Sequence, residues 1–324
     1  MPSARHLLAI LEGHVQGDSP GVYSTALQVA AREAQLGHAK VATRLRELVE
    51  KGRVRERSDP GAVPLVQPRG ELANLVAVTY PRVQLASMTL ASGQRKRLER
   101  VLLEQTKAQK IRAHNLAPRR KLLLVGSPGT GKTMTVSAIA GELRLPVFTI
   151  LLEGVITKFM GETAQKLRAI FEAMRRTRGV YFFDEFDAIG AKRTAGNDVG
   201  EVRRILNSFL SLLENDDSES IIIAATNHPS LLDSALFRRF DDVIEYHMPD
   251  TDEIQRLIQG QLVGFRADVP WAELVSWASG LSHADIVRAA QEAAKTALLE
   301  DRKAITTQDL TCALEDRQVR KPEV

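Results

Sequence analysis

A single cysteine, a net charge of only +4 and the lack of any long apolar run set the first limits on this 324-residue chain. With Cys312 alone, there is neither an intramolecular disulfide framework nor a cysteine-based zinc site, and a reducing, cytoplasmic setting is expected. No stretch approaches the roughly 18 consecutive apolar residues that a membrane span requires. The apolar run Leu7 to Leu11 near the N-terminus is too short for a signal peptide. A balance of 44 basic against 40 acidic residues does not by itself call for a nucleic-acid partner. Internal repeats and low-complexity tracts are absent. So are His-Glu-x-x-His and Gly-x-Ser-x-Gly, two signatures of proteases and related hydrolases. What is present is ordinary globular material, 44% hydrophobic and 26% charged, with length for about two domains at roughly 150 residues each.

Three helical stretches open the chain. Leu7, Leu8, Ile10, Leu11 and Val15 mark the first, broken by Asp18-Ser19-Pro20-Gly21. Leu27, Ala30, Ala31 and Ala34 mark the second, with Gly37 as its C-terminal cap. Val41, Ala42, Leu45, Leu48 and Val49 carry the third, which Gly52 ends. Pro60, Gly61, Pro64 and Pro68 then punctuate a linker, and Glu71 to Leu90 reads as mixed strand and loop. Ser92 is expected to cap a helix running to about Ala113. Basic residues concentrate between Arg95 and Lys121, as expected of a solvated or subunit-facing helix.

From there the texture changes. Short apolar runs, Leu122 to Val125, Val147 to Leu152, Val180 to Phe183, Ile221 to Ala225 and Val243 to Tyr246, alternate with amphipathic helices. Such runs suit strands buried on both faces of a parallel sheet. Beyond Pro249 only helices are expected, with Thr251, Ser282 and Thr306 as N-caps and Trp271 and Trp277 as packing residues.

The sharpest chemical signal is Gly126-Ser127-Pro128-Gly129-Thr130-Gly131-Lys132-Thr133, a complete phosphate-binding loop between an apolar strand and a helix that starts near Met134. Glycines let the backbone wrap a phosphate and aim N–H groups at it from a helix N-terminus. Lys132 would reach the β and γ phosphates, and the Thr133 hydroxyl would ligate Mg²⁺. Residues 126 to 134, Met134 included, form the candidate ATP-binding set. Val180 to Phe183 then delivers Asp184 to the Mg²⁺ shell and Glu185 to an attacking water as general base. Asp187 reads as structural. Ile221 to Ala225 leads to Asn227, positioned to orient that water. The adjacent Arg238 and Arg239, flanked by Phe237 and Phe240, have the look of arginine fingers.

Taken in order, Gly126 to Thr133, Phe183 to Asp187, Ala225-Thr226-Asn227 and Ala235 to Asp241 resemble the classical AAA clade of the AAA+ ATPase superfamily, from about Ser92 to Asp316. The resemblance implies an α/β P-loop domain with a parallel five-stranded sheet and a C-terminal helical lid, to which the opening helical stretches add a small all-α N-terminal domain. The corresponding spans are 1–58 for the helical domain, 59–91 for the linker, 92–249 for the ATPase domain, 250–316 for the lid and 317–324 for the tail. It also implies a homo-oligomer, a hexameric ring in which Arg238 and Arg239 reach the γ phosphate held by a neighbour. Family members write a Pro-Gly before the last arginine. Its omission here leaves open which arginine is the principal finger. His114 to Arg119 would line the adenine pocket.

Lys158-Phe159-Met160-Gly161-Glu162 resembles the first pore loop, where an aromatic residue grips a polypeptide client, and Gly196 to Glu201 occupies the place of the second. Gly280-Leu281-Ser282-His283-Ala284-Asp285 resembles the Gly-x-Ser-x-Ala-Asp start of a lid helix. There Ala284 stands where other clades carry a sensor arginine, Arg288 is expected at the surface, and His283 is a candidate nucleotide contact. Gly37-His38, Leu45-Arg46-Glu47-Leu48 and Asn197 to Glu201 are similar to single-module bacterial AAA ATPases. Some of these are encoded beside a subtilisin-like protease, the partner that the similarity implies. The function expected is therefore an ATP-driven protein remodeller or unfoldase. An ATP-dependent assembly switch without threading, or a nucleic-acid remodelling ATPase, are the competing readings.

Overall fold

The apolar runs that alternate with helices do form a sheet, and its strand order is what positions the candidate site. A computed structural model describes residues 19–35, 38, 41–49, 70–155, 160–187, 199–232, 234–267 and 269–319. Two compact units divide the chain, Met1–Val66 and Gln67–Val324. The first unit holds helix α1 (Ser19–Gln35) and helix α2 (41–49). Ser19 and Pro20 open α1. Proline fits a first turn, where its missing N–H would have no intrahelical partner. Ala42 and Val49, seven residues apart, are buried on one stripe of α2. The first expected helix, Gly37 and Gly52 lie outside the described residues.

The second unit begins with strand β1 (Val76–Thr79), then α3 (Ser92–Thr106), α4 (Ala108–Arg112), β2 (Lys121–Gly126) and α5 (Lys132–Leu143). It continues through β3 (Val147–Ile150), α6 (Leu152–Val155), α7 (Met160–Arg176), β4 (Val180–Phe183), α8 (Val199–Glu214) and β5 (Ile221–Thr226). Then come α9 (Ser234–Phe237), β6 (Asp242–Tyr246) and α10 (Thr251–Gln261), followed by β7 (Arg266–Ala267), α11 (Trp271–Ala278), α12 (His283–Leu299), β8 (Ala304–Ile305) and α13 (Thr307–Val319).

The sheet runs β1-β3-β4-β5-β2-β6. Five strands are parallel, as expected, but β1 adds a sixth, antiparallel to β3 with Val76 opposite Ile150. The sheet is therefore mixed, and part of the segment expected as linker belongs to it. Every residue of β4 and β5 is buried, the pattern of strands covered on both faces. Successive side chains serve opposite layers. Phe182 joins the core under α3 and α5, whereas Phe183 packs against Phe209 of α8 at a ring separation of 5.2 Å. The β6 edge is capped from α3: Gln94 Nε2 donates to the Glu245 carbonyl and Arg97 Nη1 to that of Val243.

Much of the basic segment is consumed in this way. Arg100 pairs with Glu104, Arg112 with Glu219, Arg119 with Asp242, and the largely buried Arg120 with Asp216. Ala91, not Ser92, is the N-cap of α3, because the Gln94 side chain reaches back to accept the Ala91 amide. That helix also breaks at Lys107 instead of continuing to Ala113.

Beyond Pro249 the helices pack around an alanine-rich face of α12 that includes Ala289, Ala290, Ala293 and Ala297. The expectation of helices alone needs correcting, since β7 and β8 form a short parallel pair. Asp250 rather than Thr251 caps α10. Its carboxylate accepts the Glu253 amide at 2.8 Å while Glu253 accepts the Asp250 amide at 3.0 Å. Ser282 caps α12, and the Thr306 hydroxyl accepts the Asp309 amide.

Candidate active site

Strand β2 lies between β5 and β6, and the chain leaves β2 and β5 toward opposite sides of the sheet. A crevice forms at the carboxyl ends of such strands. The phosphate loop enters it directly from β2. Gly126 has φ +153°, and a Cβ there would stand 2.2 Å from the Tyr246 carbonyl oxygen, so only glycine lets the loop leave so close to β6. Gly131, also left-handed, precedes Lys132, the first residue of α5. The loop is held from within: the Thr130 hydroxyl donates to the Ser127 carbonyl at 2.8 Å. Behind it, Thr135 Oγ1 bonds both the Gly131 carbonyl and the Tyr246 hydroxyl. Burial pushes that phenol up to about 12.

Lys132 is only 7% exposed, and its ammonium donates to the carbonyls of Gly126 and Ser127 at 2.7 and 2.8 Å. Burial pulls it below the ordinary lysine value, while the carboxylates of Asp184 and Asp187 act the other way. Asp184 and Glu185 follow β4 directly. Glu185 has φ +48°, rare for a residue with a side chain, and its amide donates to Asp184 Oδ1 at 2.9 Å. Asp187 is structural: it accepts the Thr226 hydroxyl at 2.9 Å, and Thr226 Oγ1 in turn accepts the His228 amide. Asn227 is thereby held between two anchored neighbours.

Pro128, Gly129, Thr130, Gly131, Lys132, Thr133 and Met134 line one cleft of ≈ 660 Å³ together with Asp184, Glu185 and Asn227. Gly126 and Ser127 instead face a second cavity, which Asn227 also borders. The opposite wall of the first cleft comes from Ser87, Met88 and Thr89 and from helices α10 and α12. The expectation of His114 to Arg119 at this wall fails. None of those residues is among the lining, and Arg119 is turned to Glu104 and Asp242. The 87–89 segment takes their place because Arg95 ties it down, donating to the carbonyls of Leu85 and Met88, while Glu142 accepts the Leu85 amide. Sequence reasoning also missed Leu257, Gly260 and Gln261 of α10, which share no motif with the loop they face. Arg288 is exposed, as expected, but stands at the rim of the cleft.

Arg238 and Arg239 are exposed and do not line this cleft. Arg239 forms an ion pair with Glu214 at the end of α8. Lys158 and Phe159 lie outside the described residues. Met160 opens α7, and its side chain is not described. Of the second pore segment, 196–198 lie outside the described residues and Val199 starts α8.

The cleft fits a nucleotide with its metal. A buried ammonium, glycines at positive φ and an opposite wall that includes Met88, Leu257 and Val287 match a polyphosphate joined to a base. The Thr133 hydroxyl and Asp184 carboxylate are hard oxygen donors. Among the described residues no group of three or more His, Cys, Asp or Glu is arranged to hold a metal. Two oxygen donors suit Mg²⁺, which keeps waters and substrate phosphates in its shell.

The family described as "ATPase family associated with various cellular activities (AAA)" matches residues 122–248. An uncharacterized AAA family ATPase, y4kL, of Sinorhizobium fredii is 33% identical over 92% of this chain and 91% of its own length. A putative 26S proteasome regulatory subunit homolog of Methanothermobacter thermautotrophicus is 33% identical over 64% of this chain and 57% of its own length. The ATP-dependent zinc metalloprotease FtsH 1 of Sphaerobacter thermophilus is 37% identical over 63% of this chain, but only 32% of that protein is spanned. The crystal structure of the FIGL-1 AAA domain superposes with a TM-score of 0.60 at 27% identity, covering 77% of this chain and 87% of that one.

Proposed function

Since the chain belongs to the AAA family of ATPases, we propose that it works as a ring that hydrolyses ATP to remodel or unfold a protein client. The observation that carries the reading is the convergence of Lys132, Asp184, Glu185 and Asn227 on one cleft, while Arg238 and Arg239 remain exposed outside it. A cleft that Arg238 and Arg239 of the same chain do not line suits completion by a neighbouring subunit.

Lys132 neutralises the β and γ phosphates, and the loop amides at the start of α5 hold them. Thr133 and Asp184 would hold Mg²⁺, whose chemistry there would be to withdraw charge from the phosphate oxygens. Glu185 accepts a proton from water as the water oxygen bonds to the γ phosphorus and the bond to the β–γ bridging oxygen breaks, yielding ADP and phosphate. Asn227 orients that water. A neighbour's arginine stabilises the charge on the transferring group, an effect of the order of 10³ to 10⁵ in rate. The Ala284 amide, bonded to the Gly129 carbonyl, ties the start of the lid helix to the phosphate loop.

A Phe159 pore loop gripping the client is part of the same proposal, as are the hexameric stoichiometry and a cytoplasmic setting. Among the described residues no helix is long and apolar enough to cross a membrane. A subtilisin-like protease as partner rests on the sequence similarity alone. The test is a pull-down with Glu185→Gln, which is expected to bind ATP, hydrolyse it about 10² to 10⁴-fold more slowly and retain a client. Adding Phe159→Ala to that trap should release the client and leave ATP binding intact. Retention of every partner by the double variant would favour the assembly switch.

A further inference from the structure

We propose that the first unit is a helix-turn-helix whose second helix, α2, docks in the major groove of duplex DNA. The assignment is independent of the ATP cleft and uses none of its residues.

The frame comes first. Helix α1 (Ser19–Gln35) and helix α2 (41–49) are separated by five residues, 36 to 40. His38, in the middle of that connection, is fastened to both helices. Its amide donates to the Glu33 carbonyl at 3.0 Å and its Nδ1 to Glu33 Oε2 at 2.7 Å. Its own carbonyl accepts the amides of Val41 and Ala42. Glu33 is buried, as are Ala30 on α1 and Ala42 on α2, so the two helices are held from their inner faces. A short, fixed connection between two helices is the arrangement that presents the second of them to a groove.

The outward face of α2 is the second observation. Ala42 and Val49 are buried and Leu45 half-buried, three positions on one stripe. Val41, Thr43, Arg44, Arg46 and Leu48 are exposed. Arg44 pairs with Glu47 at 3.1 Å, but both side chains are more than half exposed, and such a pair is worth little against a phosphate. Arg46 forms no ion pair among the described residues. Arginines at these positions suit phosphates or the O6 and N7 of guanine, and the threonine and aliphatic side chains suit the thymine methyl. A helix built to dock on a protein groove carries apolar anchors at i, i+3 and i+7. On α2 the middle anchor, between Val41 and Leu48, is Arg44.

Charge is the third. From His38 to Arg57 the sequence has seven Lys or Arg against three Glu, a surplus of four that equals the net charge of the whole chain. The other basic stretch, Arg95 to Lys121, spends Arg100, Arg112, Arg119 and Arg120 on ion pairs. A positive helix face on a helix-turn-helix frame is complementary to a nucleic-acid duplex. The major groove of duplex RNA is too narrow for a helix, so the duplex is DNA.

Fluorescence anisotropy of a labelled random-sequence DNA duplex, titrated with the full chain across a salt series, tests the assignment. Binding is expected at about 50 mM salt and should weaken steeply as salt rises. The double variant Arg44→Ala/Arg46→Ala should flatten the slope of log K against log salt by about 1.8 and weaken binding by about 10- to 100-fold at 0.1 M salt. Arg44→Lys/Arg46→Lys keeps the charge and should keep the slope. Lys107→Ala/Lys110→Ala removes as much charge from the other basic stretch and should change neither. Lys132→Ala should bind the duplex as the wild type does, so loss of the ATP reading would leave this one standing. Absence of duplex binding at low salt overturns the proposal and leaves Val41 and Leu48 to a protein partner. Equal weakening by the Lys107 and Lys110 changes overturns it in favour of diffuse charge, and equal affinity for duplex RNA or single-stranded DNA overturns docking in the groove.

Discussion

The amide of Ala284 donates to the carbonyl of Gly129 across 3.0 Å, so the first turn of α12 and the phosphate loop are joined backbone to backbone. Gly129 has φ +74°, and a Cβ added there would lie 2.5 Å from Ser282 Oγ and 2.9 Å from Ser282 Cβ. A left-handed backbone costs a residue with a side chain about 1–2 kcal/mol, and the overlap would also push the start of α12 away. Gly129→Ala is expected to weaken ADP binding by about tenfold or more, equivalent to roughly 1.4 kcal/mol. Gly93→Ala is the control: an added Cβ meets nothing within 4 Å, and affinity should not change. Wild-type affinity in Gly129→Ala would mean that the lid contact has no bearing on the site.

What could be read from the sequence was local. The phosphate loop is eight consecutive residues whose backbone demands, positive φ at Gly129 and Gly131, are met by glycine itself. Strands β4 and β5 are buried on both faces, so each is a continuous apolar run whatever its neighbours. Strand β1 was legible only as part of a segment of mixed strand and loop, without its bounds or its place in the sheet. Its four residues are only partly buried at a sheet edge, and its strand character comes from pairing with β3. The two-residue strands β7 and β8 are too short to have a period at all. The far wall of the cleft is the deepest case. Met88, Leu257 and Val287 come from three distant segments, and Arg95 positions the first of them through backbone carbonyls that no side-chain pattern announces.

Acid should weaken the lid through one carboxylate. Arg302 donates to both oxygens of Asp309, at 2.8 and 2.9 Å, and the Thr306 amide adds a third bond. The Arg302 guanidinium first, then the Thr306 donors, hold Asp309 well below the usual carboxylate range, at about 2, against the opposing effect of burial. A folded-state value below the unfolded one means the contribution is present above the ordinary carboxylate value. It is lost as pH falls from about 4 through about 2. Asp309→Asn should remove about 1 kcal/mol at neutral pH, the usual scale for losing such a cap. The gap in melting temperature between wild type and variant should then close toward pH 2. A gap that stays constant across that range would exclude Asp309 as the titrating group.

Arg238 and Arg239 are adjacent in sequence but differ in company, since Arg239 is paired with Glu214 of its own subunit and Arg238 is exposed. In a ring whose sites are completed by neighbours, the arginine with no ion pair among the described residues is the one available to reach across. Arg238→Ala is therefore expected to lower ATP hydrolysis by about 10³-fold or more, within the range for an arginine finger supplied in trans, without weakening nucleotide binding to the same subunit. Arg239→Ala should cost less, and Glu214→Gln should resemble it. Mixing provides the decisive measurement. Lys132→Ala subunits lack a working cleft but carry intact arginines, whereas Arg238→Ala subunits have the reverse. Each variant alone should be nearly inactive, and mixed rings should regain activity at the sites where an intact cleft meets an intact arginine. If the mixture stays inactive while Arg238→Ala loses its own ATP affinity, the arginine acts on its own subunit's site and the trans arrangement fails.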